Sequence, residues 1–287
     1  MRTTLDCIPC LLGLALRTAR QATDDVDLHE QVVRDAAEAV RAIDLQSAPP
    51  VMAAPIFAAI CQRVGVADPL RAIRERDNQL AQEIVGELRR RIERAADPLG
   101  AALRVSAAGN AIDFAACGQT GAGDLRRAID EAMAAPLEDD IARFRDAIAG
   151  AQDLLWLADN AGEIVLDRLL IERLPMRRIT VAVRGAPALN DALLSDAQFA
   201  GLTELCEVID NGSAIPGTVL EDCSEAFVKR FSAAELILAK GQGNYETLGG
   251  IAAPVMFLLK IKCPVVATQL QRELGSIALI GPEETDR

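Results

Sequence analysis

"LLWLADNAGEIVLD", Leu154 to Asp167, is the stretch whose reading decides the fold. An apolar run stops at Asp159-Asn160, passes through Ala161-Gly162, and continues from Glu163 with helical spacing, so it reads as a buried strand, a tight turn and a helix. A strand that ends in a carboxylate beside a carboxamide has two explanations. Asp and Asn favour turns and helix N-caps. They are also the oxygen donors that a hard cation takes.

Four more runs of the same kind follow at βα spacing: "ITVAVRG", "CEVID", "ELILAKG" and "PVMFLLK". They are apolar throughout rather than alternating, as expected when helices cover both faces of a parallel sheet. Before residue 150 the pattern differs. Segments such as "LHEQVVRDAAEAVRAI" and "NQLAQEIVGELRRRIERA" carry helical periodicity, punctuated by Pro49, Pro50, Pro55, Pro69 and Pro98. The reading is a mainly helical segment over 1–150 followed by an α/β segment over 151–287, with no repeat and no obvious linker.

Composition narrows the class. Of 287 residues, 51% are hydrophobic, enough to bury one large core or two unequal ones. Asp and Glu number 42 against 30 Lys and Arg, so the field repels polyanions, and no basic patch interleaved with aromatics offsets it. Nucleic acid is not the expected partner, whereas a small phosphorylated metabolite is compatible once a cation reverses the local field. "CIPCLLGLAL" is too short to span a bilayer, and "VMFLLKIKCPVVA" is interrupted by Lys260 and Lys262. No membrane span is expected. An odd count of seven cysteines fits a reducing, cytoplasmic setting better than a disulfide framework.

Ligands of an open parallel sheet bind beyond the carboxyl ends of its strands. Here those ends read Asp159-Asn160-Ala161-Gly162-Glu163; Arg184-Gly185, leading to Asn190-Asp191; Asp210-Asn211-Gly212-Ser213; and Lys240-Gly241-Gln242-Gly243-Asn244. Each alone is explained by a capped helix or a turn. Together on one edge they make a hard-cation site facing an anion site. Asp159, Asn160 and Asp191 offer three oxygens suited to Mg²⁺ or Mn²⁺, and the glycine-rich turn after Lys240 offers backbone N–H groups and a point charge to phosphate. No Ser-His-Asp set is available, and neither Cys117 nor Cys263 has a histidine base.

"AGNAID" (Ala108 to Asp113), "DNAGEIVLD" (Asp159 to Asp167), "VRGAPALNDA" (Val183 to Ala192) and "AKGQGNYETL" (Ala239 to Leu248), in this order, resemble the DUF89 family of metal-dependent damage-control phosphatases, also called the ARMT1-like domain. "CIPC" resembles the mark of its prokaryotic, CxxC-bearing subgroup. The resemblance implies a Rossmann-like α/β/α domain with a mainly parallel sheet, plus an α-helical N-terminal domain sharing the cleft. It implies a divalent cation (Mg, Mn, Co or Ni) and hydrolysis of phosphomonoesters of sugars or of damaged metabolites. Carried over, it puts the metal on Asp159, Asn160 and Asp191, and gives Lys240 a catalytic place at the phosphate. Asn110 at the rim, Glu163, Gly241 and Asn244 would contact substrate, with Asp113 structural. Asp191 is preferred to Asp196, which lies more than a turn further on.

A metal-positioned water is the expected nucleophile, with an aspartyl phosphate on Asp159 or Asp191 as the other route. The competing readings are a methyltransferase using S-adenosylmethionine, for which the single glycine of "DNAGE" is a poor cofactor cradle, and a non-catalytic metabolite-binding protein. Cys7 and Cys10 lie at i and i+3 on one helix face. They read first as a packed, reduced pair, with metal and redox roles as the alternatives: two thiols are half of a zinc site, but His29 is not at ligand spacing, and the N-terminus does not resemble the strand end that carries a thioredoxin-like motif.

Overall fold

The computed structural model describes residues 1–111 and 121–282. Seven helices precede the sheet among these residues: α1 Cys7–Ala22, α2 Val26–Arg41, α3 Pro49–Val64, α4 Arg71–Arg94, α5 Pro98–Gly109, α6 Ala122–Ala134 and α7 Glu138–Ala149. Asp25 caps α2 by accepting from the N–H groups of Asp27 and Leu28, and Asp97 caps α5 ahead of Pro98, as N-cap chemistry requires.

After Gly150 the chain alternates: β1 Asp153–Leu157, α8 Glu163–Ile171, β2 Arg178–Val183, α9 Leu194–Phe199, β3 Glu207–Asp210, α10 Glu225–Ala233, β4 Leu236–Lys240, α11 Gly241–Leu248, β5 Val255–Lys260, α12 Pro264–Leu270 and β6 Ile277–Ile280. The strand order is β3-β2-β1-β4-β5-β6. β1 to β5 are parallel and β6 is antiparallel to β5. All five strands read from the sequence are present, and β6 adds a sixth. The order reverses between β1 and β4, the switch point at which doubly wound sheets bind ligands.

Alternate residues of each strand face opposite sides, and each side is covered. Leu154, Trp156, Val181, Leu238 and Leu258 pack with residues of α4 to α8 in one core. Leu155, Leu157, Ile237, Ala239 and Phe257 pack with Phe227, Phe231, Tyr245 and Val266 of α10 to α12 in another. A third cluster joins α1, α2, α3, the start of α4 and Leu189. The change at 150/151 is therefore one of element type and not of packing. Helices α4 to α7 form one layer of the α/β/α sandwich, and α1 to α3 gather in a cluster of their own that abuts the start of α4 and Leu189.

Candidate active site

Beyond Leu157 the chain leaves the sheet without leaving its neighbours. The segment after β2 doubles back on the end of β1, so Asn160 and Asp191 form an isolated antiparallel bridge. Ala192 N–H donates to Asp159 O at 2.7 Å, and Ala161 N–H to Asn190 O at 3.0 Å. Paired residues of such a bridge project to the same side, which brings the Asn160 and Asp191 side chains together. The return costs backbone strain, since Leu189 sits at φ 52°, a region that bulky residues avoid.

Asp159 Oδ2 accepts from Asn110 Nδ2 and from Asn160 Nδ2, both at 2.7 Å. Those same two amide nitrogens donate to Glu163 Oε2, at 2.9 and 3.2 Å. Glu163 Oε1 accepts from Lys240 Nζ at 2.7 Å, and Lys240 also donates to Asp167 Oδ1 at 2.5 Å and to Ser106 O at 3.1 Å. The ammonium stands 5.6 Å from the ring centroid of Trp156. On the other flank, Arg184 Nε donates to Asp191 Oδ2 at 2.7 Å, and the guanidinium reaches Thr218 Oγ1, Ala158 O and Asn244 Oδ1.

Two glycines make this density possible. Gly241 opens α11 at φ 77°, and a Cβ there would fall 1.8 Å from Asp159 Oδ2. Gly162 takes φ 75° against the Asp77 backbone, while its N–H donates to Asn78 Oδ1 at 2.7 Å. The turn after β1 is thus closed by α4, and it offers no glycine cradle for a methyltransferase cofactor.

Asn160 hydrogen-bonds Asp159 through its side chain and pairs with Asp191 through its backbone, so the three residues named from the sequence are neighbours in the fold. Four other expectations need correction. Asn110 is not at a rim: it is fully buried, with Oδ1 accepting from Lys260 N–H and its NH₂ shared by Asp159 and Glu163. Glu163 is 0% exposed and both its oxygens accept from protein donors, so it offers no group to substrate. Lys240, also 0% exposed, spends its three N–H bonds on Ser106, Glu163 and Asp167 rather than facing the cleft. Asn244 ties Lys240 O and Ala158 O to Arg184 and Thr218. Their common cause is that a buried charge or amide at a strand end must be satisfied from within. Asp113 and Cys117 lie outside the described residues.

Sequence reasoning named Arg184 only as a strand end, with no role, and missed Asp167 and Ser106. Arg184 ends the apolar run "ITVAV", and Asp167 lies one helical turn after Glu163 amid Ile, Val and Leu; each was detectable as a charge where only apolar neighbours are available. Asp196 binds Asn78 Nδ2 at 2.6 Å and Leu193 N–H at 2.8 Å, a cap for α9 and not a partner of Asp159. Cys7 is buried, with Sγ accepting from Thr4 N–H, and Cys10 is exposed on the same helix. Although Cys10 reaches the surface, desolvation by the protein atoms packed around its sulfur pushes the thiol up, away from an activated thiolate.

The donor chemistry fits a hard divalent cation. Both N–H groups of Asn160 are turned to carboxylates, which leaves its Oδ1 on the other side. The formal charges of Asp159, Glu163, Asp167 and Asp191 against Lys240 and Arg184 sum to minus two. Asn190, paired to the β1 end through its backbone, is buried with neither carboxamide atom hydrogen-bonded, an orphan of the kind that marks a missing ion or water. Among the described residues no three Asp, Glu, His or Cys side chains gather as a ligand set, so a cation here would rest on two carboxylates and a carboxamide, with water or substrate completing its shell.

Residues 3–277 match the model of the damage-control phosphatase ARMT1-like domain. A damage-control phosphatase of Archaeoglobus fulgidus is 31% identical, covering 94% of this chain and 96% of that protein. One of Pyrococcus horikoshii is 29% identical over 96% and 97%, and an uncharacterised protein of Methanocaldococcus jannaschii is 31% identical over 96% and 94%. A crystal structure of a DUF89 family protein from Pyrococcus horikoshii superimposes with a TM-score of 0.87 at 28% identity, covering 98% of this chain and 99% of that one.

Proposed function

The chain belongs to the damage-control phosphatase ARMT1-like family, and on that premise we propose that it is a divalent-metal-dependent phosphatase acting in the cytoplasm on phosphomonoesters of small metabolites, sugar phosphates or damaged phosphometabolites. One observation carries the reading. The Asn160–Asp191 bridge and the Asp159 carboxylate lie at the sheet's switch point, and Asp159 rests against the first residue of α11, so an oxygen-donor site and a helix N-terminus abut.

Asp159, Asn160 and Asp191 would hold Mg, Mn, Co or Ni. Such an ion would supply Lewis acidity at the phosphate and acidify a nearby water as the nucleophile. The chain's own part is positioning. Arg184 fixes Asp191 through its Nε, and Asn110 and Asn160 fix Asp159 through their amides. The first-turn N–H groups of α11 point along the helix axis toward the phosphate seat. Glycine at 241 lets the Asp159 carboxylate and that seat lie at contact distance. Lys240 acts from behind the site, through Glu163.

The test is release of phosphate from p-nitrophenyl phosphate with each of the four metals and after chelation. Activity that needs a metal and disappears in Asp159→Ala is expected. Turnover that survives chelation, or that Asp159→Ala leaves at the parent rate, overturns the reading.

A further inference from the structure

We propose that Glu163 is a positioning residue for the cation site, setting which end of the Asn160 carboxamide faces the ion. The inference rests on Asp159, Asn160 and Asp191 being the ion's donors.

A carboxamide is nearly symmetric in shape and opposite in chemistry at its two ends: the oxygen binds a cation and the NH₂ repels it. Its neighbours decide which end is presented. Asn160 Nδ2 has two acceptors, Asp159 Oδ2 at 2.7 Å and Glu163 Oε2 at 3.2 Å. Asp159 is itself an ion donor, so its hold on the amide is shared with the ion. Glu163 has no such second duty. It is 0% exposed, which removes it from contact with substrate, and all its partners are proton donors: Lys240 on Oε1, Asn110 and Asn160 on Oε2.

A carboxylate alone accepts at both ends. Glutamine would place an NH₂ either against the Lys240 ammonium or against the two asparagine amides. Lys240 is anchored in turn by Asp167 and Ser106, so Asp167, Lys240, Glu163 and Asn160 form one chain of charge-assisted contacts ending at the ion's donor.

The measurement is Mn²⁺ affinity by electron paramagnetic resonance on the metal-free, substrate-free protein, with thermal unfolding followed in parallel. Glu163→Gln is expected to weaken Mn²⁺ binding by about 10- to 100-fold, the range seen when an outer-shell partner is removed. Adding Asn160→Asp to Glu163→Gln restores an oxygen whichever way the group faces, and the new carboxylate accepts from the glutamine NH₂. The double variant is expected to bind Mn²⁺ more tightly than Glu163→Gln alone. Asn160→Asp in the parent, which crowds a third carboxylate against Asp159 and Glu163, is expected to show no gain.

Parent-like affinity in Glu163→Gln overturns the proposal, and so does a defect that Asn160→Asp does not relieve, which would place the effect in the fold. If Glu163→Gln does not fold, Glu163→Asp keeps the charge with a shorter reach and is expected to weaken Mn²⁺ in the same direction; unchanged affinity there overturns the proposal equally. Asp159→Ala separates the two levels. If it keeps parent affinity, the cation site itself is wrong. If it loses Mn²⁺ while Glu163→Gln does not, only the role of Glu163 fails.

Discussion

Lys240 carries its charge where no water reaches, and its partners decide what its loss does. Lys240→Met leaves Glu163 and Asp167 buried without their counter-charge, a change that costs about 3 to 5 kcal/mol. Urea unfolding is expected to show that loss, whereas a lysine facing open solvent would show almost none. Asp167 gives a pH signature. Burial pushes its carboxyl up to about 6 against the pull of Lys240, with Glu163 adding to the rise. Its folded value thus lies above the ordinary 3.8, so the folded protein holds this proton more tightly than the unfolded chain. That contribution to stability is present at low pH and is lost as pH rises through 6. Asp167→Asn has no such proton, so the parent's stability advantage over it should shrink between about pH 3.8 and about pH 6 in urea titrations. A constant difference would show that Asp167 does not titrate in this window. The sequence named the residue types at the strand ends well, yet it could not give the direction each side chain faces. Asn110, Glu163, Lys240 and Asn244 carry ligand chemistry and spend it on one another.

At the scale of elements, the turn from β4 into α11 ties backbone to chemistry. Gly241→Ala must hold φ near 77°, which costs an L-residue about 1 to 2 kcal/mol, and its Cβ lies where Asp159 Oδ2 now sits. Displacing a reacting group by about 1 Å costs about 100-fold in rate. Gly241→Ala is therefore expected to remain folded and to lose about that much kcat/KM toward p-nitrophenyl phosphate; parent activity would place Asp159 outside the chemistry. Strands β1 to β5 were legible because an unbroken apolar run bounded by turn residues has few other uses. β6 was not, because "IALI" is only four residues long and comes back antiparallel to β5 after the short helix α12. The bridge that sets Asn160 opposite Asp191 was invisible too, since it depends on the loop at Leu189 folding back.

For the whole molecule, the sharing of one core between helix and sheet has a direct consequence. Residues 151–287 alone would leave Leu154, Trp156, Val181, Leu238 and Leu258 without the cover of α4 to α7. That is a wide apolar face that promotes association. The fragment is expected to aggregate and to show no cooperative urea transition, whereas an independently cooperative fragment would make 150/151 a true domain boundary. The same core encloses Trp156, the chain's one tryptophan, 5.6 Å from the Lys240 ammonium. An indole in the field of a fixed charge emits at a wavelength that follows that field. The protein therefore carries a single built-in fluorophore, linked through Lys240 and Glu163 to the Asn160 amide, and under the proposed cation site its emission is expected to shift on adding Mn²⁺ or Mg²⁺, with no label and no substrate.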